Sequence, residues 1–585
     1  MQVKLNSKLL VMINKFITKC YNNNYVFSFL LFIMFALLGS VLVRTPFFSI
    51  ATKMPEHIDA YLVSYIWSWD IHALSSAPLN LFQSNIFYPF EATLAYSETM
   101  LGTALLAWPI IALSGSIITT YNIVVLISFG IAGLGMYLLV YYLTKNRLAA
   151  LISALIFAFA PLRIVHAVGH LHLTGMWLPY FFLYLIKFFK LQSWKNISLL
   201  SLFVFLIFLT GFHYAIFLPI VVIIFLLVKL LASEFRFNKS NIIKIVVSLM
   251  ILSLLTIPLI IPYLDLHKEF DFVRTPEQID AYSPGIVDYF VSPLYYNVVY
   301  SKFDYAAVIV CPGIFVFFLL FISFYLLRKY KSAFKPFKVE LIIFSIIGIV
   351  ALLVSFGFYI RLFRHHHMSI PGPYQLLYYF VPGFDGIRST GRYSIFLLIS
   401  IVITIGIAFS HYFNSLKDNF KKTLIIFVIA TFILFEFAFT GAPMYSYPEA
   451  TSSDSTNLYA WMKSQPDEKV FIELPMGFID NELKTNYDIL YVFRSSTHFK
   501  KIVNGYSGYY PPGYLDLASK VNSFDPVEDT LELKKWDVDY VIIHFDRYEN
   551  IDEHIKAILD NVNNYDKLKF VKNFGNNYVF EIIYD

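Results

Sequence analysis

The chain has 585 residues, of which 58% are hydrophobic and only 15% charged, and its formal net charge is +5. Water-soluble domains carry about 25% charged residues, so this composition excludes an ordinary soluble enzyme. The mean hydropathy is +0.62, and many apolar runs approach the length of about 20 residues that crosses a bilayer. The two cysteines lie far apart and predict no disulfide framework.

The first apolar run, YVFSFLLFIMFALLGSVLV, follows a segment that holds lysines but no acidic residue. No small-residue cleavage pattern follows the run, so we interpret it as an uncleaved span with a cytoplasmic N-terminus. The next stretch, EHIDAYLVSYIWSWDIHAL, has an amphipathic helical pattern that places Asp59 and Asp70 on one face. They stand about three turns, or roughly 16 Å, apart and cannot both act at one atom.

Two segments decide the topology. The run 99–116 is short and contains Trp108 and Pro109, so we interpret it as an interfacial or re-entrant helix on the outer side. The run 197–231 is too long for one crossing at about 1.5 Å per residue, and its central TGFHYA predicts a turn between two crossings. All basic connections then lie on the cytoplasmic side, with about eleven crossings in total.

Residues 442–585 have ordinary polarity and predict a small α/β domain outside the membrane, with strands in KVFIELP, DYVIIHF and KFVKNFGNNYVFEII. The predicted fold class is therefore mainly α: a polytopic helical membrane protein with an interfacial helix and a C-terminal extracytoplasmic α/β domain. The membrane domain is residues 1–441, and its outer loops are 44–98, 263–304 and 361–392.

Several outer ionisable residues are candidates for a site. Glu98 ends the first loop, where it either binds acceptor hydroxyls or a cation, or favours the dipole of the next helix. The stretch RIVHAVGHLH holds Arg163 and His170, which we interpret as contacts to a donor phosphate or sugar. His166 and His170 have the four-residue spacing of a metal site, but no third ligand is fixed, so we predict no metal ligands.

Arg388 and Arg392 in DGIRSTGRYSIF stand one helical turn apart at the outer end of a span. Two guanidinium groups at this spacing can hold a phosphate, because arginine offers paired donors in a fixed geometry. The alternative is that both side chains reach toward lipid head groups. No Gly-rich nucleotide-phosphate loop is present, so the sequence does not predict a site for a soluble nucleotide.

The order of these motifs resembles the GT-C superfamily of membrane glycosyltransferases, in an uncharacterised prokaryotic branch. The resemblance covers nearly the whole chain, and the motifs that carry it are an early Asp in the first outer loop, NIFYPFEATLAYSETMLG, FAFAPLRIVHAVGHLHLTGMWLPY, YQLLYYFVPGFDGIRSTGRYSIF and VNGYSGYYPPGY. One departure is Ile58, since many relatives have Gly directly before the Asp.

The resemblance implies a hexosyltransferase-type enzyme that takes sugar from a polyprenyl-phosphate donor. Asp59 is at the place of the family's general base; the alternative is that it caps or solvates an interfacial helix. The expected partners are the donor, membrane lipid and an extracytoplasmic glycolipid, cell-envelope glycan or protein acceptor, and no nucleic acid. No cofactor is certain, and a divalent cation stays open.

Two other classes remain. A transporter or flippase of lipid-linked sugars would carry charge inside its spans, and Glu436 is the clearest example here. A non-catalytic envelope scaffold would use its outer domain to bind a partner. In either case the aromatic residues Tyr506, Tyr509 and Tyr510 could hold carbohydrate.

Overall fold

The structure is a computed structural model that describes residues 23–43, 50–54, 58–171, 174–296, 308–363, 370–440, 445–446, 453–477, 487–522, 524–548, 558–560, 562 and 565–584. Within these ranges helices dominate, and a five-stranded sheet lies near the C-terminus. The predicted fold class, a polytopic helical membrane protein with a small C-terminal α/β region, is confirmed.

The helical part contains, in chain order, α1 (Asn24–Leu42), β1 (Lys53–Met54), α2 (Ile58–Ser76), α3 (Leu101–Ser114), α4 (Ile117–Thr144), α5 (Arg147–Phe159), α6 (Pro161–Gly169), α7 (Leu178–Lys190), α8 (Trp194–Thr210), α9 (Phe212–Ala215), α10 (Leu218–Leu231), α11 (Lys239–Phe270), α12 (Pro276–Ala281), α13 (Ile314–Lys329), α14 (Lys338–Ser355), β2 (Tyr359–Ile360), β3 (Ile370–Pro371), α15 (Tyr374–Phe380), α16 (Ser394–Ser415) and α17 (Asn419–Phe437). The strand β4 (Tyr445–Ser446) pairs with β1.

Among the described residues, seven helices are long and apolar enough to cross a membrane, or eight if α5 and α6, bent by 50°, form one span. Other predicted crossings form the shorter helices α7, α8 and α13. The total of about eleven crossings stays a prediction. The run 99–116 forms the short helix α3 with Pro109 inside it, and α8 ends at Gly211 just before α9, where TGFHYA predicted a break.

Contacts between loops show that the predicted basic connections share one end of the helical bundle. Glu340, in the first turn of α14, lies 3.3 Å from Lys229 Nζ and 3.6 Å from Lys190 Nζ. Elsewhere, Asn146 Nδ2 donates to Asn414 Oδ1 over 2.7 Å. The turns after α4, α7, α10 and α16 and the start of α14 are therefore on the same side, as the charge pattern predicted.

The α/β domain contains α18 (Ser453–Ser464), β5 (Val470–Leu474), α19 (Tyr487–Ser495), β6 (Lys501–Ile502), α20 (Tyr514–Val521), α21 (Glu528–Lys534), β7 (Tyr540–His544), β8 (Leu568–Phe574) and β9 (Asn577–Ile582). The strand order is β6-β5-β7-β9-β8. Strands β6, β5 and β7 are parallel, while β9 is antiparallel to β7 and β8. The three predicted strand segments are confirmed. The boundary near 442 stays a prediction, since residues 441–444 lie outside the described ranges.

The first loop joins the sheet of the α/β domain. Ile502 N–H donates to Asn85 O over 2.8 Å, and the N–H groups of Phe87 and Tyr88 donate to Asn504 O and Ile502 O. Gly505 lies so close to Phe87 that an added Cβ would stand 2.2 Å from its ring. These bonds fix the domain on one side of the bundle, which we call the domain side.

Candidate active site

Asp59 and His170 meet on the domain side. Asp59 lies in the first turn of α2, where the helix dipole favours a negative charge. His170 follows α6, and its backbone N–H closes that helix by donating to His166 O. Asp59 Oδ2 and His170 Nε2 are 3.1 Å apart, and the two side chains are 32% and 28% exposed. The pair is therefore a hydrogen-bonded carboxylate and imidazole open to a substrate.

His166 in the last turn of α6 and His170 directly after that helix are neighbours, as their four-residue spacing predicted. The rings of His166 and His170 are 5.9 Å apart and nearly perpendicular. His172 lies outside the described residues. In the described part of the chain, no group of three or more His, Cys, Asp or Glu side chains is arranged to hold a metal ion.

Glu98 and its neighbour Ser97 are hydrogen-bonded to α9 and α11. Its Oε1 accepts a hydrogen bond from the backbone N–H of His213 in α9 over 3.1 Å. The neighbouring Ser97 O accepts from the hydroxyl of Tyr263 in α11 over 2.9 Å. The His213 ring bonds through Nε2 to Ser389 O over 3.0 Å. Glu98 is thereby connected through α9 to the loop that carries Arg388.

The two outer arginines occupy different surroundings. Arg392 is half-buried in the turn before α16, where the negative charges of Glu98 and Asp59 attract its guanidinium. Arg388 is exposed, and its guanidinium lies 4.4 Å from the ring centre of Tyr282. Arg392 thus lies within electrostatic range of Glu98, Arg388 and Asp59, while the Arg388 guanidinium packs on Tyr282.

Arg163 is fully buried at the bend between α5 and α6. Its Nε donates to Thr174 O over 2.6 Å and its Nη1 to Ala158 O over 2.7 Å. These bonds satisfy backbone carbonyls around the bend. The substrate contact predicted for Arg163 stays a prediction, and it would require this packing to open.

Asp70 is separate from Asp59, as the spacing on one helix predicted. It is 0% exposed, and neither carboxylate oxygen has a hydrogen-bond partner among the described residues. Burial raises the pKa of Asp70 well above its usual range, because a charged carboxylate is poorly solvated there. Burial therefore favours the protonated, neutral form of Asp70 inside the packed first loop.

Glu436, the charge that suggested a transporter, has a structural role in the described contacts. Its Oε1 accepts from the Ile314 N–H over 2.6 Å and from Ser292 Oγ over 2.7 Å. Its Oε2 accepts from the Phe315 N–H over 3.0 Å. The carboxylate satisfies donors at the start of α13 that no residue of that helix can pair.

No family model matches the sequence, and no curated protein matches it either. Solved structures are nevertheless similar in fold. The mycobacterial arabinofuranosyltransferase AftD is 12% identical with a TM-score of 0.56, over 90% of this chain and 40% of that one. The oligosaccharyltransferase of Archaeoglobus fulgidus is 12% identical with a TM-score of 0.53, over 94% of this chain and 74% of that one. The fold of this chain is therefore similar to that of these two solved structures. This chain spans less than half the length of AftD.

Sequence reasoning did not select His213 or Tyr263, which hold Glu98 and the residue before it. His213 acts through its backbone N–H, a group that every residue except proline carries. The available signal was the polar interruption TGFHYA inside a long apolar run, which predicted the break but not its contact with Glu98.

Proposed function

We propose that the chain is an integral-membrane glycosyltransferase that transfers a sugar from a polyprenyl-phosphate donor to an extracytoplasmic acceptor. The observation that carries the proposal is the open pair of Asp59 and His170 beside Glu98 and Arg392, on one side of a GT-C fold. The domain side is then the outer side, and the side with the basic loops is cytoplasmic.

In the proposed reaction, an acceptor hydroxyl attacks the anomeric carbon of the donor sugar. The bond between that carbon and the phosphate oxygen breaks, and the lipid phosphate leaves with the electron pair. Asp59 takes the hydroxyl proton as general base, while His170 orients the carboxylate through the 3.1 Å contact. A direct displacement inverts the anomeric configuration, which the stereochemistry of the product tests.

Arg392 is proposed to contact the departing phosphate, since its guanidinium stands near Asp59 and Glu98. Glu98 is proposed to orient the acceptor hydroxyls, held in place by His213. Arg388 and His170 keep their predicted substrate contacts as part of the proposal. The acceptor can be a glycolipid, an envelope glycan or a protein.

A divalent cation is a further part of the proposal. Two ligand atoms bound to one ion at about 2.1 Å and at right angles lie roughly 3 Å apart. Asp59 Oδ2 and His170 Nε2 match that separation at 3.1 Å. In a cation-bound enzyme the ion would replace the hydrogen bond between these two atoms, and water and phosphate oxygens would complete the coordination. When bound, the cation would supply positive charge to the leaving phosphate. Loss of transfer with EDTA and its return with added cation would support this.

The test compares purified wild type with Asp59→Asn and with the control Asp265→Asn, an exposed aspartate on α11 whose side chain is 66% exposed. Release of radiolabelled sugar from a set of polyprenyl-phosphate sugars into lipid, glycan and protein fractions is followed. Transfer by wild type and the control, but not by Asp59→Asn, supports both the enzyme and its base. Transfer by all three proteins would mean that a residue other than Asp59 is the base. Uptake of lipid-linked sugar by proteoliposomes, without sugar transfer, would contradict the proposed enzyme activity.

A further inference from the structure

Arg274 connects three parts of the molecule at the domain junction. Its backbone N–H donates to Asp385 O over 2.9 Å, and its backbone carbonyl accepts from the Tyr378 hydroxyl over 2.9 Å. Its Nη2 donates to Gly508 O of the α/β domain. The half-buried Arg274 is therefore fixed by α15, by the 381–388 loop and by the α/β domain.

Tyr509 completes this arrangement. Its ring centre lies 3.8 Å from the Arg274 guanidinium and 4.4 Å from the ring centre of Phe272, with the two rings nearly parallel at 10°. Two planar groups this close cannot share one face of a ring, so Arg274 and Phe272 occupy opposite faces. The Tyr509 hydroxyl also donates to Gly386 O over 3.4 Å. Neither face of Tyr509 is left for a sugar.

The same contacts hold Arg388 close to Arg274. Asp385 and Gly386 are bonded to Arg274 and Tyr509, and Ser389 is bonded to His213, so the loop is fixed on both sides of Arg388. Burial lowers the pKa of the Arg274 guanidinium, and the positive charge of Arg388 lowers it further. Two cations are therefore held near each other by bonds that do not neutralise them.

Neither arginine has a carboxylate within ion-pair distance among the described residues. The nearby acids face other basic side chains. Asp385 Oδ2 lies 4.0 Å from His267 Nε2, and Asp280 Oδ1 lies 3.4 Å from Arg361 Nη2. Each guanidinium instead rests on a tyrosine ring, Arg274 on Tyr509 and Arg388 on Tyr282. An anion between the two arginines would remove their mutual repulsion.

We propose that Arg274 and Arg388 together bind a phosphoryl group at the junction of the α/β domain and the helical domain. Guanidinium groups offer paired N–H donors that match phosphate oxygens, and arginine keeps its charge when partly buried. This site adjoins Arg392, because the charge of Arg388 acts on both Arg274 and Arg392. Arg274 and Arg388 would then hold a second phosphoryl group beside the one proposed for Arg392.

The identity of the ligand rests on the proposed function. In a glycosyltransferase with a lipid-linked donor, the second phosphoryl group comes either from a donor with a diphosphate linkage or from a phosphorylated acceptor. Both present the same chemistry to the two arginines. In a diphosphate-linked donor, this phosphoryl group and the phosphate proposed to contact Arg392 belong to one molecule. In the case of a phosphorylated acceptor, they belong to two different molecules.

The first experiment measures binding without turnover, using the full-length protein in detergent and inorganic diphosphate and phosphate as probes in calorimetric titrations. The variants are Arg388→Gln and Arg274→Gln, and the control is Lys268→Gln, a nearby cation that is 77% exposed. We expect each arginine variant to weaken binding about tenfold or more, with no change in the control. Unchanged binding in Arg388→Gln, which is exposed and should fold normally, overturns the proposal. Arg274→Lys keeps the charge without the paired donors and should bind weakly if the geometry matters.

The second experiment identifies the source by comparing polyprenyl phosphate, polyprenyl diphosphate and glycerol phosphate. A preference for the diphosphate lipid that disappears in Arg388→Gln assigns the group to the donor. Equal binding of both lipids, with glycerol phosphate binding that depends on Arg388, assigns it to the acceptor. Arginine-dependent binding in a protein without transfer activity supports this site while the proposed function fails. Sugar transfer without arginine-dependent anion binding supports the proposed function and contradicts this site.

Discussion

The Asp59 carboxylate and the His170 imidazole are in contact over 3.1 Å, although one begins α2 and the other follows α6. The contact gives the proposed base a fixed orientation and a proton donor that is polarised by a negative charge. Both side chains remain partly exposed on the domain side, so a hydroxyl can approach the second carboxylate oxygen. This relationship makes the role of His170 separable from that of Asp59.

His170→Ala removes the partner of the proposed base and leaves Asp59 in place. We expect kcat for sugar transfer to fall about 10- to 100-fold, with a smaller fall in His170→Gln, which keeps a hydrogen-bond donor. Asp59→Asn should cost more than either variant. Initial rates with a lipid-linked donor measure these effects, and His267→Ala, a 44% exposed histidine near Asp385, is the control. An equal loss in the control would contradict a specific role for His170.

Asp70→Asn mimics the protonated acid and tests the neutral state of Asp70. Below about pH 4 the folded and unfolded states both hold the proton, so the pH-dependent part of the difference vanishes. As the pH rises, the unfolded state releases the proton while the folded state keeps it, because burial raises the folded pKa. We therefore expect the wild type to lose stability relative to Asp70→Asn between about pH 4 and 7. Thermal unfolding at several pH values measures the gap, and a constant gap would argue against a neutral Asp70.

Glu436→Leu tests the cap on α13. The variant leaves the Ile314 and Phe315 N–H groups and the Ser292 hydroxyl without their acceptor, and we expect a loss of roughly 2–4 kcal/mol in the free energy of unfolding. Glu436→Gln keeps one acceptor and should lose less. The midpoint of thermal denaturation in detergent reports the effect. A stable Glu436→Gln that loses transport of lipid-linked sugar would restore the transporter hypothesis.

The ion pairs between Lys229 and Glu340 are buried, so their removal should be costly. Glu340→Gln leaves Lys229, which is 1% exposed, with Glu234 alone at 2.6 Å. We expect the free energy of unfolding to fall by about 1–3 kcal/mol. The fall should be smaller when Lys229→Met is added, since that change removes the buried ammonium group that has lost one of its two carboxylate partners. Thermal inactivation rates of the single and double variants give the comparison. A double variant that is less stable than Glu340→Gln would mean that the charges are coupled to other groups.

Gly505→Ala tests the close approach of the first loop to the α/β domain. The new methyl group would stand 2.2 Å from the Phe87 ring, so the hydrogen bonds between residues 85–88 and 502–504 should weaken. We expect faster hydrogen exchange at the Phe87, Tyr88 and Ile502 amides. Phe87→Ala makes room for the methyl group, so Gly505→Ala should do little in that background. An equal effect in both backgrounds would place the strain elsewhere.

Part of the site was predictable because charges beside apolar runs are conspicuous. Asp59, Glu98, Arg388 and Arg392 were selected on that ground, and the charges of Glu98, Arg388 and Asp59 all act on the Arg392 guanidinium. Their neighbours were not predictable, because His213 contributes a backbone N–H and Arg274 a contact between distant segments. The helical spans and the strands of the α/β domain follow from apolar length and alternation alone.

Glu436 and Tyr509 show the limit of composition. A carboxylate in an apolar run suggests ion transport, but here it satisfies helix N–H groups from another part of the chain. Clustered tyrosines such as Tyr506, Tyr509 and Tyr510 suggest a surface for binding carbohydrate, but both faces of Tyr509 are taken by Phe272 and Arg274. The residue type indicates which interactions a side chain can make, and the fold determines which groups it contacts.

The bond between Asn85 Nδ2 and Lys500 O joins residues that are 415 positions apart. A ribosome adds about 5 to 20 residues per second, so the first loop is synthesised roughly 20 to 80 seconds before the segment that completes it. During that interval the loop that carries Asp59 waits outside the bilayer without its β6 partner. Completion of this loop is therefore tied to the end of translation, and a chain that stops before β6 lacks these bonds even when all its spans are inserted.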